Sequence, residues 1–172
     1  MLSLKRNILR TSTTVDQAHY WLDVWQRVAE QAMFTADKSV TISERYQEAI
    51  LALENAEEKK TLLDWDKDWL SVVNPEEFPE YVAEMRAWLK HVPTFVLYVP
   101  ALLDAAGVKM IHDWVIREMG EEWLMDLRVS ANTLGGCAFI TNERYYDYSL
   151  HGQLQRNPEV VRETLRSYEK KT

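Results

Sequence analysis

The stretch Gly135-Gly136-Cys137-Ala138-Phe139-Ile140-Thr141-Asn142-Glu143-Arg144-Tyr145-Tyr146-Asp147-Tyr148-Ser149-Leu150 decides how the second half of this chain is read. Adjacent glycines permit backbone angles, or a close backbone approach, that a side chain forbids. Ala138 to Ile140 forms a short apolar strand, Thr141 to Arg144 supplies a turn, and the tyrosine-rich return is a second strand. Asp147 and Ser149 then stand where a helix beginning near Leu150 needs its first amides capped, and Leu150 and Leu154 share one face of that helix as an i, i+4 pair.

Toward the N-terminus, the signals that precede this hairpin alternate between strand and helix. Thr94 to Val99 is a continuous β-prone run framed by Pro93 and Pro100, which predicts a strand covered on both faces. Asp104 to Met119 carries Val108, Ile111, Val115 and Met119 on one helical stripe, with Gly120 where the helix stops. From Trp123 to Val129 the pattern has period two, with Trp123, Met125, Leu127 and Val129 on one side and Asp126 and Arg128 on the other. After the hairpin, Asn157-Pro158-Glu159 starts or kinks a last helix through Val161, Leu165 and Tyr168. The order is β-α-β-β-β-α over residues 93–172.

Before Pro93 the periodicity is helical. Asp16 to Phe34 places Trp21, Val24, Trp25, Val28 and Ala32 on a single stripe. A second helix is predicted from Ser43 to about Ala56, with Ile42, Tyr46, Ala49, Ile50 and Leu53 inward, and a third through Leu62, Trp65, Trp69, Leu70 and Val73. A fourth carries Tyr81, Val82, Met85, Trp88 and Leu89. It is introduced by Asn74-Pro75-Glu76-Glu77 as a cap, with Pro79 as the alternative starting point. Glu57-Glu58-Lys59-Lys60 reads as an exposed first turn with charges spaced for i, i+3 pairing. Stripes of this kind require mutual burial, so residues 16–92 are expected to form a small bundle. The fold class is α+β: an N-terminal helical bundle followed by a small β-α-β-β-β-α domain.

Residues 1–15 hold Lys5, Arg6 and Arg10 and no acid. They are read as a flexible tail, the alternative being an organellar transit peptide.

Composition narrows the function. Across 172 residues the apolar share is 47% and there are seven Trp, enough for a core, while a net charge of −7 argues against non-specific nucleic-acid binding. No run approaches the roughly 18 to 20 apolar residues of a membrane span, so insertion into a bilayer is not expected. Cys137 is the only cysteine, which removes intramolecular disulfides and cysteine-rich zinc modules. It reads as a small buried hydrophobe; the competing reading is a nucleophile with His112 or His151 as base. His19, His91, His112 and His151 show no metal-ligand spacing, and phosphate-loop, dinucleotide and serine-elbow signatures are missing. Asp147 as a catalytic carboxylate lacks a second acid nearby. No catalytic, cofactor or metal residue is assigned.

The joint pattern of Leu134-Gly135-Gly136, the strand through Phe139 and Ile140, and Tyr146-Asp147-Tyr148-Ser149-Leu150 before a helix resembles the C-terminal end of the delta subunit of F-type ATP synthases, called OSCP in mitochondria. More loosely it is similar to the E subunits of V-type ATPases. The likeness spans about Pro93 to Thr172 and includes the preceding strand, helix and strand. The resemblance implies a non-catalytic stator protein. In that family a helical domain grips the α subunits of the catalytic head, and the α+β domain binds the end of the b-subunit stalk. It further implies one copy within a hetero-oligomer, without cofactor, cytoplasmic and membrane-associated through the complex, or in an organelle matrix or stroma if residues 1–15 are a transit peptide. Gly135, Gly136, Asp147, Ser149 and Leu150 would be scaffold. The helical half departs from the pattern: about four helices fit where the family carries six, and the first reads Ala18-His19-Tyr20-Trp21-Leu22.

Overall fold

The computed structural model describes residues 2–35, 39–71, 73–133, 135–141, 143–159 and 162. The class is α+β, with helices N-terminal and a mixed four-stranded sheet C-terminal. The chain divides into two compact units, one of Met1–Pro93 with Ile116–Leu124, the other of Thr94–Val115 with Met125–Thr172.

The first unit contains α1 (Leu2–Thr11), α2 (Val15–Phe34), α3 (Ile42–Leu51), α4 (Ala56–Asp64), a 3-10 turn at Asp68–Ser71 and α5 (Phe78–Leu89). Helix α1 corrects the reading of residues 1–15 as a loose tail. Leu4 and Ile8 are completely buried in the helical core, as their i, i+4 spacing permits. A buried amide then fastens the helix: Asn7 Nδ2 donates to the Asp66 carbonyl at 2.8 Å, and Asn7 Oδ1 accepts from the Asp66 N–H at 3.2 Å. Trp65 Nε1 adds a bond to Thr11 Oγ1 at 3.0 Å. The basic side chains keep to the outside, Arg10 on Asp64 and Lys5 over the Trp88 ring.

Thr14 caps α2, accepting from the Gln17 N–H. Its predicted stripe of Trp21, Val24, Trp25, Val28 and Ala32 is buried throughout. Helix α3 opens on a reciprocal capping box between Thr41 and Glu44. It buries Tyr46, Ala49 and Ile50, with Leu53 partly covered. It stops at Leu51, short of the predicted end, and Asn55 starts α4 anew by accepting from the Glu57 and Glu58 N–H groups. The charged start of α4 also differs from expectation. Glu58 is buried, held by the Tyr20 hydroxyl at 2.5 Å and Arg27 Nη2 at 3.3 Å, rather than exposed and paired along its own helix.

The third predicted helix is interrupted. Trp65, Trp69 and Val73 are buried as expected, but α4 ends at Asp64. The Asn7 clamp engages both backbone groups of Asp66, and Asp66 Oδ1 accepts from the Asp68 N–H at 3.0 Å, a local turn that competes with helix. Before α5, Asn74 makes a turn with its carbonyl to the Glu77 N–H and does not cap the helix. Glu77 occupies the cap position without a side-chain bond, and Pro79 lies in the first turn, where its missing N–H costs nothing.

After Pro93 the chain forms β1 (Thr94–Val99), α6 (Ala105–Met119), β2 (Leu124–Val129), a 3-10 turn at Ala131–Thr133, β3 (Ala138–Thr141), β4 (Arg144–Asp147) and α7 (Leu150–Arg156), all in the second unit but for the last residues of α6 and the first of β2. The strand order is β2-β1-β3-β4. Leu124 N–H to the Pro93 carbonyl and Ser130 N–H to the Val99 carbonyl share one offset, so β1 and β2 run parallel, while β3 is antiparallel to both β1 and β4. Strand β1 is fully buried on one face only: Phe95, Leu97 and Val99 are covered, whereas Thr94, Val96 and Tyr98 are half-buried. Strand β2 also departs from its predicted stripe. Leu124 and Met125 are both buried, and Val129 is exposed at the far end of this edge strand. In α6 the predicted inward residue Val115 is buried and Val108, Ile111 and Met119 are half-buried; Gly120 follows with φ of +108°. The predicted continuation through Val161, Leu165 and Tyr168 lies outside the described residues, as do Leu134 and Asn142.

Candidate functional site

Gly135 and Gly136 adopt φ of +79° and +75°, the left-handed region where L side chains are disfavoured. At Gly136 a second constraint applies: a Cβ would strike the Tyr148 carbonyl oxygen and lie 3.3 Å from Ser149 Cα. The close approach places the chain for two bonds beyond the strands, Tyr148 N–H to the Cys137 carbonyl and Leu150 N–H to the Gly135 carbonyl, both 2.9 Å. The hairpin is thereby tied to the first residue of α7. At the other end Thr141 pairs with Arg144, and Glu143 takes the left-handed φ of 61° that this tight connection demands.

Asp147 and Ser149 act where α7 begins. Ser149 is the buried N-cap, its Oγ accepting from the Gly152 N–H at 3.0 Å. Asp147 Oδ1 accepts from the Ser149 N–H at 2.8 Å, and the Asp147 carboxylate lies directly against Gly152, where any β-carbon would collide with it. Hydrogen bonds from Ser149 hold the Asp147 carboxyl below the usual carboxylate range, helped by the charges of Arg156 and His151. Arg156 Nη2 donates to the Asp147 carbonyl. An acid stabilised as its anion and engaged by the Ser149 backbone amide suits capping and opposes proton donation.

The other sequence candidates are dispersed. Cys137 is half-buried and free on the β3 approach. His151 faces Gln155 along its own helix, and His112 lies on α6, where partial burial lowers its pKa. Among the described residues no cluster of three or more His, Cys, Asp or Glu is placed to hold a metal ion.

Beside the exposed His151, Gln155 and Arg156, the site presents apolar surface. Tyr148, Leu150 and Leu154 are each between 44% and 55% exposed, so the i, i+4 leucine pair faces outward. The Tyr148 ring is stacked on Phe139 (5.8 Å, 15°), which itself stacks on Tyr146 (5.1 Å, 25°) and tilts against Phe95. Of these three residues, Tyr148 is seated on the stacked aromatic ladder. The second unit has a further exposed group that the sequence reading missed: Leu102, Leu103, Met110 and Trp114, with Trp114 packed edge-on against Phe95. Its signal was the Met110/Trp114 spacing of four on the side of α6 away from the predicted stripe. Among the described residues nine of the fourteen exposed large hydrophobics belong to this smaller unit, a distribution that suits contact with another protein.

Compared with known proteins, the chain matches no family model, and no curated protein is detectably similar to it. No helix of the described residues is long and apolar enough to cross a membrane.

Proposed function

We propose that this chain is a non-catalytic stator protein, a delta-like peripheral-stalk subunit of a rotary F-type ATP synthase that links the α/β head to the b-subunit stalk. The observation that carries the reading is the glycine-gated hairpin closed onto α7 within a β-α-β-β-β-α unit, where Asp147 and Ser149 serve as caps and Tyr148, Leu150 and Leu154 beside them are exposed apolar side chains. Exposed aromatic and aliphatic residues fit recognition of a helical partner, which is how a b-subunit end would be held. In this reading the protein carries no substrate or cofactor, occurs once per complex, and is cytoplasmic, reaching the membrane through its partners.

A second reading, a free-standing adaptor for some other helical partner, is favoured by the helical unit, which among the described residues before Pro93 holds five α-helices with α1 built in rather than the six helices of the family. Purification of the membrane complex separates the two. Co-migration of this chain with the α, β and b subunits is expected, and an intact enzyme that lacks it would remove the stator reading.

A further inference from the structure

Helix α4 is held differently from its neighbours. Helix α2 buries nine side chains, all apolar, and α5 buries five. Helix α4 buries two, Glu58 and Leu62, so its inner face offers one carboxylate and one hydrocarbon side chain. The carboxylate does the fastening. The Tyr20 hydroxyl donates to Glu58 Oε1 at 2.5 Å and Arg27 Nη2 to Oε2 at 3.3 Å, and both donors stand on α2. The ion pair at the other end of α4, Arg10 with Asp64, is exposed on both sides and adds little.

Clefts run along both flanks of this helix. One, of about 210 Å³, reaches in to Thr11, Tyr20 and Trp21, and the other, of about 400 Å³, reaches in to Arg27, Val28 and Ala49. Asn55 and Glu58 line both, so the Glu58 side chain is the post between them. The two ends of α4 are anchored unequally. Beyond its C-terminus, Trp65 and Asp66 are fixed to α1 by Thr11 and Asn7. Before its N-terminus residues 53–55 are non-helical, and Glu54 and Asn55 are exposed.

We propose that α4 is a strap that lifts from α2 as a unit, turning on its fixed C-terminal end, with Glu58 as the latch. An element with so little buried apolar surface belongs to the low-stability end of a domain, where local opening occurs without global unfolding. Hydrogen bonds to a charged acceptor are the stronger kind, so loss of the Glu58 contacts governs the opening. Lifting removes the post and joins the two clefts into one trough floored by Trp21, Val28 and Ala49, all buried while the strap is closed. The device is conformational: the closed strap keeps apolar side chains of α2 and α3 out of reach.

Native-state hydrogen exchange of the full chain tests it. The amides of residues 59–64 are expected to exchange at least about ten-fold faster than the slowest amides of α2, and to respond weakly to sub-denaturing urea because a local opening exposes little surface. If they are as slow as those of α2 and share their urea dependence, α4 opens only with the whole unit and the proposal is overturned. The latch has its own readout. Glu58→Gln keeps the side-chain shape and removes the charge, and should speed exchange in α4 roughly ten-fold. Tyr20→Phe keeps the ring and removes one donor, a milder variant that should act in the same direction. Unchanged α4 exchange in both would overturn the role given to Glu58.

Discussion

At the scale of single residues, the two glycines of the hairpin are adjacent yet unequal. Gly135 needs its left-handed φ but has no close neighbour to a Cβ beyond Leu150 at 3.9 Å, whereas Gly136 needs both the angle and the space. Gly135→Ala is expected to cost about 1–2 kcal/mol from backbone strain alone. Gly136→Ala should cost more, because the obstacle is the backbone of Tyr148 and Ser149, which cannot swing aside as a side chain would. Urea unfolding of the two variants in parallel measures the difference, and equal losses would contradict the steric argument. Ser149→Ala removes the α7 cap and is expected to cost about 1 kcal/mol, with the loss confined to the second unit. The positions of Asp147 and Ser149 were legible in the sequence because capping uses short polar side chains at fixed offsets. The glycine pair announced that a close approach was permitted, but not its partner, since Tyr148 lies twelve positions from Gly136.

At the scale of elements, most helices and strands were visible from periodicity, and the misreadings share a cause: a long-range contact overrode a local pattern. Residues 2–11 look like a basic tail because the informative pair, Leu4 and Ile8, is brief and surrounded by charge. The break after Asp64 is written in Asn7, fifty-nine positions from the backbone it binds. Two predictions belong here. Ile8→Ala, at a completely buried site, should destabilise the helical unit by about 2–5 kcal/mol, a loss that a tail residue could not produce. Asn7→Ala leaves both buried backbone groups of Asp66 without their partner and should cost about 1–3 kcal/mol. Thermal or urea melts of both variants check these values; wild-type midpoints would mean that α1 does not contribute to the core. Likewise, Val129 lost its predicted cover because an alternating pattern says which residues share a face but not how far a neighbouring layer extends.

At the scale of the whole molecule, α+β organisation was legible because helical periodicity gives way to strand patterns at Pro93, while the surface that carries the proposed contacts was only partly so. Exposed and buried apolar stripes are written in the same residues, and only packing distinguishes Met110 and Trp114 from Val115. The core of the helical unit also sets a pH limit. Burial pushes the Tyr81 hydroxyl up to about 12 and Tyr46 beyond the ordinary tyrosine range. In the unfolded chain both ionise near pH ~10. The unfolded state therefore sheds protons first, so this contribution is complete below pH ~10 and is lost as pH climbs through the folded values, at up to about 1.4 kcal/mol per pH unit for each phenol. Denaturant midpoints between pH 9 and 11.5 should show the fall, and a Tyr46→Phe/Tyr81→Phe double variant should flatten it. The bond from Arg156 to the Asp147 carbonyl has a consequence of another kind. Tyr148 bonds inward to Cys137, so by alternation the Asp147 carbonyl points out of the sheet along β4, the outermost strand among the described residues, where a foreign strand would otherwise dock. The guanidinium acts as a stopper on that margin and works against the sheet's polymerising with its own kind.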